Sequence, residues 1–247
     1  MQDLHDRRAF IVGGSSGIGR AAAGLFVARG AGVVLGGRDS QRLAQAVSGL
    51  GPAARALPLD VTDPAQIAQA VADLPEGGVD YLVITAATLA HGPFAEQPLA
   101  EARAMFESKF WGAYALVQAC LPRMRDGGAV VLISGVLSRR PGRNCVALGA
   151  ACAALEGLTR GLALELGPRL RVNCIAPGMV RSELHEHHPP ERREAIFAST
   201  GASLPVGRVG RPCEIAEAVL LAATNGYMTG HVLDADGGHC LRQYAAA

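Results

Sequence analysis

A glycine-rich stretch near the start of the chain has the residue types and spacing of a phosphate-binding loop. Three glycines follow the apolar run at 10–12 in the pattern G-x-x-x-G-x-G. Glycines let backbone N–H groups approach a phosphate closely, and the N-terminus of the following helix adds a favourable dipole. The pattern also suits a tight turn without a ligand, but its position so early in the chain favours a dinucleotide site. The predicted cofactor-binding residues of the loop are Gly13, Ser15, Ser16, Gly17, Ile18 and Gly19.

The elements that must position this loop are predicted strands and helices, which alternate along the chain. Short apolar runs bounded by glycine are typical of parallel strands buried on both faces. Such runs lie at 10–12, 33–35, 56–59, 80–85, 129–134, 171–176 and 231–236, with helical patterns between them. The longest helical patterns cover 98–124 and 147–166. The alternation predicts an α/β, Rossmann-type, doubly wound, mostly parallel seven-stranded sheet with helices on both faces, in a single domain spanning 1–247.

Composition excludes several classes of protein. The formal charge is +1 and no block of basic residues is present, which argues against a nucleic-acid partner and gives no support to a membrane surface. No uninterrupted apolar run reaches the roughly 20 residues of a membrane span, and the polar first residues lack the features of a signal peptide. The six cysteines are scattered. We therefore expect no metal site, no disulfide framework, and reduced thiols in a cytoplasmic protein.

Further motifs follow the glycine loop in a defined order. Asp60-Val61 ends the third strand region, Arg171-Val172-Asn173 leads to Pro177-Gly178, and Asp236-Gly237-Gly238 lies at the last strand. Together with the glycines, these motifs resemble those of the short-chain dehydrogenase/reductase family along nearly the whole chain. The resemblance implies that Asp60 and Val61 lie beside an adenine and that Ser182 contacts the nicotinamide end. The cofactor residues that it implies beyond the loop are Asp60, Val61, Ala86, Pro177, Gly178 and Ser182.

The end of the second strand indicates which cofactor is preferred. An acidic residue there would bind the ribose 2′-hydroxyl of NAD. This chain has Gly37 at that position, followed by Arg38. A guanidinium suits a 2′-phosphate because it directs two donors toward it. Asp39 could instead pair with Arg38. We expect NADP(H), with NAD(H) as the alternative.

The catalytic residues of the family are missing from their expected positions. The family uses an Asn, a Ser and a Tyr-x-x-x-Lys pair, in which the Tyr exchanges the proton and the Lys lowers the pKa of that Tyr. Aligned on 153–159, the chain has Leu148 at the Tyr position and Cys152 at the Lys position, and the Ser position falls on Gly135. Counting back from Gly112 on the preceding helix places Lys109 at the Asn position. Leu148 cannot exchange a proton, and a thiol offers no fixed positive charge.

Three polar residues are candidate substitutes for these groups. Lys109 borders the same pocket in the family, and a buried lysine can act as an acid or base. Alternatively, its ammonium reaches solvent or pairs with Glu107 or Glu101. Ser134 and Ser138 flank the position of the family's serine and could hydrogen-bond a substrate carbonyl, although Ser138 also suits a turn.

Two other polar groups lie near the expected substrate side. The segment 182–211 contains His185, His187 and His188, and we expect it to be an irregular, mobile lid rather than a metal site. Arg139 belongs to a basic cluster that could bind an anionic substrate, but a solvated loop or a subunit contact is the commoner explanation.

Three functions fit these residues. The first is an NADP(H)-dependent oxidoreductase that acts on a carbonyl or alcohol substrate through non-standard proton-transfer residues. The second is a catalytically silent nucleotide-binding sensor or scaffold, and the third is a redox-neutral cyclase or isomerase. Because members of the family assemble through the two long helices, the resemblance also implies a homodimer or homotetramer. The small residues at 147, 150, 151 and 154 suit close helix packing, between subunits or within one.

Overall fold

The computed structural model describes residues 3–186 and 188–241, and a seven-stranded parallel sheet forms its centre. The strands are β1 (Arg8–Val12), β2 (Gly32–Gly37), β3 (Ala54–Pro58), β4 (Val79–Ile84), β5 (Met124–Ile133), β6 (Arg171–Pro177) and β7 (Val232–Ala235). Their order in the sheet is β3-β2-β1-β4-β5-β6-β7. The chain therefore leaves β1 in one direction and returns to its other side at β4, which confirms the predicted doubly wound sheet. Ligands of such sheets bind where the carboxyl ends of β1 and β4 meet.

Eight α-helices in the described residues cover the two faces of the sheet. They are α1 (Gly17–Ala28), α2 (Ser40–Leu50), α3 (Pro64–Ala72), α4 (Leu99–Phe106), α5 (Gly112–Cys120), α6 (Val146–Leu166), α7 (Pro190–Ala202) and α8 (Pro212–Thr224). Alternate residues of each central strand face opposite layers. Phe10 and Leu82 pack with α3, α5 and α6, whereas Ile11 and Val83 pack with α1, α2 and α8. Burial on both faces explains why these strands are continuous apolar runs.

The helix predicted over 98–124 is interrupted. A π-helical turn, Glu107–Trp111, separates α4 from α5. Such a turn inserts one extra residue, and here it contains Lys109, which is buried. Pro122 lacks an N–H and ends the regular helix, so that Met124 already belongs to β5. The predicted helix end at Met124 was therefore wrong. The interruption was also missed, because apolar periodicity does not reveal a single inserted residue.

The segment 182–211 is more regular than predicted. Glu183–His185 forms a 3-10 turn, and α7 follows it. Phe197 is the one large buried side chain of α7, and the Arg181 guanidinium lies 4.6 Å from the centre of its ring. A helix with so little buried surface leaves no apolar stripe in the sequence, which is why it was missed. His187, one of the three histidines noted in this segment, lies outside the described residues.

Of the helices that the structure describes, only α6 is long and apolar enough to cross a membrane by length and composition. Its buried face includes Leu155 and Ala163, which pack in the same core cluster as β5 and β6. Glu156 on the same helix is buried against Arg139. These contacts make α6 a core helix of the α/β fold.

Candidate cofactor and active site

The glycine loop is held by close contacts between β1, α1 and the end of β4. A Cβ at Gly13 would overlap Thr85 Oγ1 and lie 2.7 Å from Ala86 N, and a Cβ at Gly19 would overlap the Gly13 oxygen. Thr85 Oγ1 donates to the backbone oxygens of Val12 and Gly13, at 3.1 and 3.2 Å. Gly13 and Gly19 are thus required by packing, and they fix the loop at the carboxyl edge of the sheet.

The N-terminus of α1 is not capped by its own sequence. Asp39 and Asp63 cap α2 and α3 by accepting backbone N–H groups, but Ser16 makes no side-chain cap bond among the described residues. Gly17, with φ +50°, instead donates its N–H to Glu183 Oε2 at 3.0 Å. Exposed N–H groups and the helix dipole favour an anion at this point. The loop therefore fits the phosphates of a nucleotide.

A cavity of about 460 Å³ opens beside this helix terminus. Its lining includes most of the predicted cofactor residues: Gly13, Ser15, Ser16, Gly17, Ile18, Arg38, Asp60, Val61, Ala86 and Ser182. Gly19, Pro177 and Gly178 are outside the lining. Gly19 faces the Gly13 oxygen, and a Cβ at Gly178 would lie 2.8 Å from the Asp236 oxygen. These glycines allow close backbone packing around the cavity.

Two arginines flank the far end of this cavity. Asp39 caps α2, accepting from the N–H groups of Gln41 and Arg42 at 3.0 Å each, and its carboxylate lies 3.5 Å from the Arg42 side chain. Within 3–186 and 188–241, Arg38 has no hydrogen bond or ion pair, so Asp39 does not neutralise it. The site thus presents a guanidinium one residue after Gly37, the position where an acidic residue would select NAD.

Lys109, the only lysine in the sequence, is buried beside the end of β5. Its side chain is 6% exposed, and Nζ donates to the backbone oxygens of Ile133 and Ser134 at 3.1 Å each. It therefore neither reaches solvent nor pairs with Glu107 or Glu101. Because an ammonium has three donors, one N–H lies outside these two bonds. Ile133 lines the cavity, so the charge lies directly behind the cavity wall.

The two serine candidates are bound to a buried carboxylate. Glu156 Oε1 accepts from Ser134 Oγ at 3.1 Å, from Ser138 Oγ at 2.6 Å and from Arg139 Nη1 at 2.8 Å. Arg139 also pairs with Asp234 near the end of β7. The hydroxyl protons therefore face Glu156, which differs from the expected donation to a substrate carbonyl. Arg139 likewise points inward, and it is not part of a solvated basic loop.

An apolar cluster contains the two residues that the sequence alignment places at the positions of the family's tyrosine and lysine. Leu148 and Cys152 are buried and pack with Met105. Burial raises the pKa of the Cys152 thiol, and the Lys109 charge opposes this rise only in part. Cys152 is therefore a neutral packing group. The described part of the chain contains no group of three or more His, Cys, Asp or Glu side chains that could hold a metal ion.

Comparisons with known proteins agree with this fold. A family model described as enoyl-(acyl carrier protein) reductase matches residues 12–239. A short-chain dehydrogenase/reductase from Brucella melitensis has a solved structure that superposes with a TM-score of 0.91 at 28% identity, and each chain is covered completely. The chain belongs to the short-chain dehydrogenase/reductase family. It is similar to a family of oxidoreductases over its whole length.

The relatives to which this chain is similar are named for different activities. Oxidoreductase UcpA of Escherichia coli K12 is 32% identical, over 98% of this chain and 97% of its own. The 3-oxoacyl-(acyl-carrier-protein) reductase FabG of Thermotoga maritima is 31% identical, over 95% and 98%. A small-chain dehydrogenase solved in complex with NADPH has 33% identity and a TM-score of 0.83, over 95% and 99% of the two chains.

Sequence reasoning missed three residues that shape the short-chain dehydrogenase/reductase site. Arg42 and Glu183 line the cavity, and Thr85 supports the loop from below. Arg42 follows Asp39 by three residues, a spacing that places both on the first turn of α2. Glu183 gave no signal beyond its position next to Ser182, because its contact with Gly17 joins residues far apart in the sequence.

Proposed function

We propose that this chain is an NADP(H)-dependent oxidoreductase that interconverts a carbonyl and an alcohol with an unusual proton-transfer group. The observation that carries the proposal is that one cavity is lined both by the α1 N-terminus, which Ser16 does not cap, and by the guanidinium of Arg38, which has no partner among the described residues. These groups suit two separate phosphates, the pyrophosphate and the 2′-phosphate of NADP(H). A family relative solved with NADPH supports the same assignment.

The residues that line the cavity would hold the cofactor. The backbone of Gly17 and Ile18 would bind the pyrophosphate, and Arg38 would bind the 2′-phosphate. Asp60 and Val61 would contact the adenine, and the Asp60 carboxylate is held by the Thr62 N–H at 2.9 Å. When bound, the nicotinamide supplies or accepts the hydride.

Lys109 is the group that we assign to the proton. When hydride reaches the carbonyl carbon, negative charge develops on the substrate oxygen, and a preorganised cation stabilises that charge. The ammonium of Lys109 supplies both the positive charge and the proton. Ser134 and Ser138 donate to Glu156, so their oxygens remain available only as acceptors, for example of an alcohol hydroxyl.

A specific observation favours a second candidate, a nucleotide-binding protein without catalysis. The apolar cluster of Leu148, Cys152 and Met105 removes the polar groups from the place where the family's Tyr and Lys would act. A chain without these proton-transfer groups would still have an intact cofactor cavity, as expected of a nucleotide-binding sensor or scaffold.

A panel of ketones, aldehydes and alcohols separates the candidates. We expect NADPH to stabilise the protein against heat and to be oxidised in the presence of some carbonyl substrate. Stabilisation without turnover above a no-enzyme blank would overturn the oxidoreductase and support the silent protein. Product formation without net cofactor oxidation would support a redox-neutral enzyme.

A homodimer or homotetramer is also proposed, formed by the helices from α4 to α6. Trp111 and Tyr114 form an exposed aromatic pair there, 51% and 42% exposed. Ala151 packs inside the subunit and does not serve the contact. Light scattering should give a multiple of the 25.5 kDa chain mass, reduced by Trp111→Glu, and a monomer in the wild type would refute the assembly.

A further inference from the structure

A carboxylate of the chain itself occupies the anion position of the glycine loop. Glu183 Oε2 accepts the Gly17 N–H at 3.0 Å, and Glu183 Oε1 lies 3.2 Å from Arg20 Nη2. Both partners belong to the first turn of α1. The carboxylate thus satisfies an N–H that Ser16 does not cap, at the end of the helix where the dipole favours negative charge.

The contact between Glu183 and Gly17 joins the lid segment 182–211 to the glycine loop, although the two segments are far apart in the sequence. Glu183 is the first residue of the 3-10 turn that follows Arg181. Arg181 is fixed, because its N–H donates to the Gly210 oxygen at 2.9 Å and its guanidinium packs on Phe197. The Glu183 side chain is partly exposed, and it can leave Gly17 by rotation without moving this anchor.

We propose that Glu183 is a latch that competes with the cofactor pyrophosphate for the Gly17 N–H. The inference rests on the proposed NADP(H) site, because that N–H is the donor assigned to the pyrophosphate. A carboxylate and a phosphate cannot share one donor, and two anions at one helix terminus repel each other. Cofactor binding therefore requires Glu183 to turn away, and the lid is held against the loop while the cofactor is absent.

The latch lowers the apparent affinity for the whole cofactor. Affinity falls by the fraction of molecules in which the site is free. A latch closed about ten times as often as open therefore weakens NADPH binding about tenfold. A ligand that fills only the 2′-phosphate end does not need the Gly17 N–H, and its affinity is independent of the latch.

Titrations with two ligands test this difference. NADPH and 2′-AMP are titrated into the wild-type chain, Glu183→Gln and Glu183→Ala. Glu186→Gln is the matched control, because this substitution removes the same charge from the same segment. Glu186 lines an adjoining cavity together with Glu183 and Arg20. We expect Glu183→Ala to bind NADPH about tenfold more tightly, and Glu183→Gln to show a smaller gain because its amide oxygen can still accept the Gly17 N–H. The affinity for 2′-AMP should be unchanged, and Glu186→Gln should stay within about twofold of the wild type.

Each other outcome contradicts the latch. Unchanged or weaker NADPH binding with intact 2′-AMP binding would show that Glu183 does not compete for the site. An equal gain in Glu186→Gln, or an equal gain for 2′-AMP, would show only a general effect of negative charge. If the wild type binds neither ligand, the proposed function itself fails, and the latch fails with it.

Discussion

The Lys109 ammonium lies 3.1 Å from the backbone oxygen of Ser134, at the carboxyl end of β5. This bond fixes the chain's only lysine beside the strand that carries the polar residues of the site. Lys109 belongs to the π-helical turn Glu107–Trp111, from which its side chain is buried. We propose that Lys109 supplies the positive charge that the family resemblance would place at position 152.

Replacement of Lys109 tests its assigned role. We expect Lys109→Met to lower kcat by about 100-fold or more, because a positioned acid contributes that much. The dissociation constant of NADPH should change by less than about twofold, since Lys109 is not among the residues that line the cofactor cavity. Lys109→Asn, which carries the family's residue, should lose the same turnover while it folds normally. Full activity in either variant would remove Lys109 from the mechanism.

Arg38 should determine cofactor preference. A charge-assisted bond contributes about 1.5–3 kcal/mol, so Arg38→Ser should weaken NADPH binding by roughly 10- to 100-fold. NADH lacks the 2′-phosphate, and its affinity should hardly change. Arg103→Ser, which removes an exposed arginine on α4, is the control for net charge. Equal losses for both cofactors, or tighter binding of NADH by the wild type, would contradict this assignment.

Two glycine substitutions separate packing from helix propensity. Gly19→Ala places a methyl group against the Gly13 oxygen, and we expect it to cost about 2–3 kcal/mol of unfolding free energy. Gly49 in α2 has open space around it, so Gly49→Ala should be neutral or stabilise by up to about 1 kcal/mol. Urea denaturation measures both. Similar stabilities in the two variants would contradict the tight loop described here.

The buried carboxylate of Glu156 should be important for stability. Glu156→Gln removes the charge that faces Arg139 and two hydroxyls, and we expect a loss of about 2 kcal/mol or more in unfolding free energy. Glu165→Gln, at an exposed site on the same helix, should have little effect. A fully stable Glu156→Gln would show that the network contributes little.

Cysteine labelling tests the apolar cluster. Burial raises the pKa of Cys152, so its thiol stays protonated in the folded protein at pH values where an ordinary cysteine, with a pKa of about 8.5, is half ionised. Iodoacetamide should modify the exposed Cys213 first, and Cys152 should be labelled slowly and only at more alkaline pH than an ordinary exposed cysteine. Rapid labelling of Cys152 in the folded protein at neutral pH would instead indicate an accessible, reactive thiol.

The sequence predicted the sheet and much of the cofactor cavity because both depend on local patterns. The apolar runs indicated the strands, and the glycines indicated the turn between β1 and α1. The Asp39 cap and the contact between Glu183 and Gly17 were not predictable in the same way. The sequence offered Arg38 as a partner of Asp39, whereas the structure has Asp39 capping α2 beside Arg42, and Glu183 meets the loop only after the chain has folded. The inward side chain of Lys109 depends on a π-helical turn, which leaves no periodic signal.

Transfer of the hydride is the most direct test of the proposed oxidoreductase. NADPH carrying deuterium at the transferred position of C4 would be incubated with the protein and a pool of ketones and aldehydes, and the alcohols formed would be examined by mass spectrometry. The account predicts an alcohol product that contains one deuterium, that is absent when the protein is omitted and that forms about 100-fold more slowly when Lys109 is replaced by Met. Binding of the cofactor with no deuterated alcohol above the blank would contradict it, and would leave a protein that holds the nucleotide without using it.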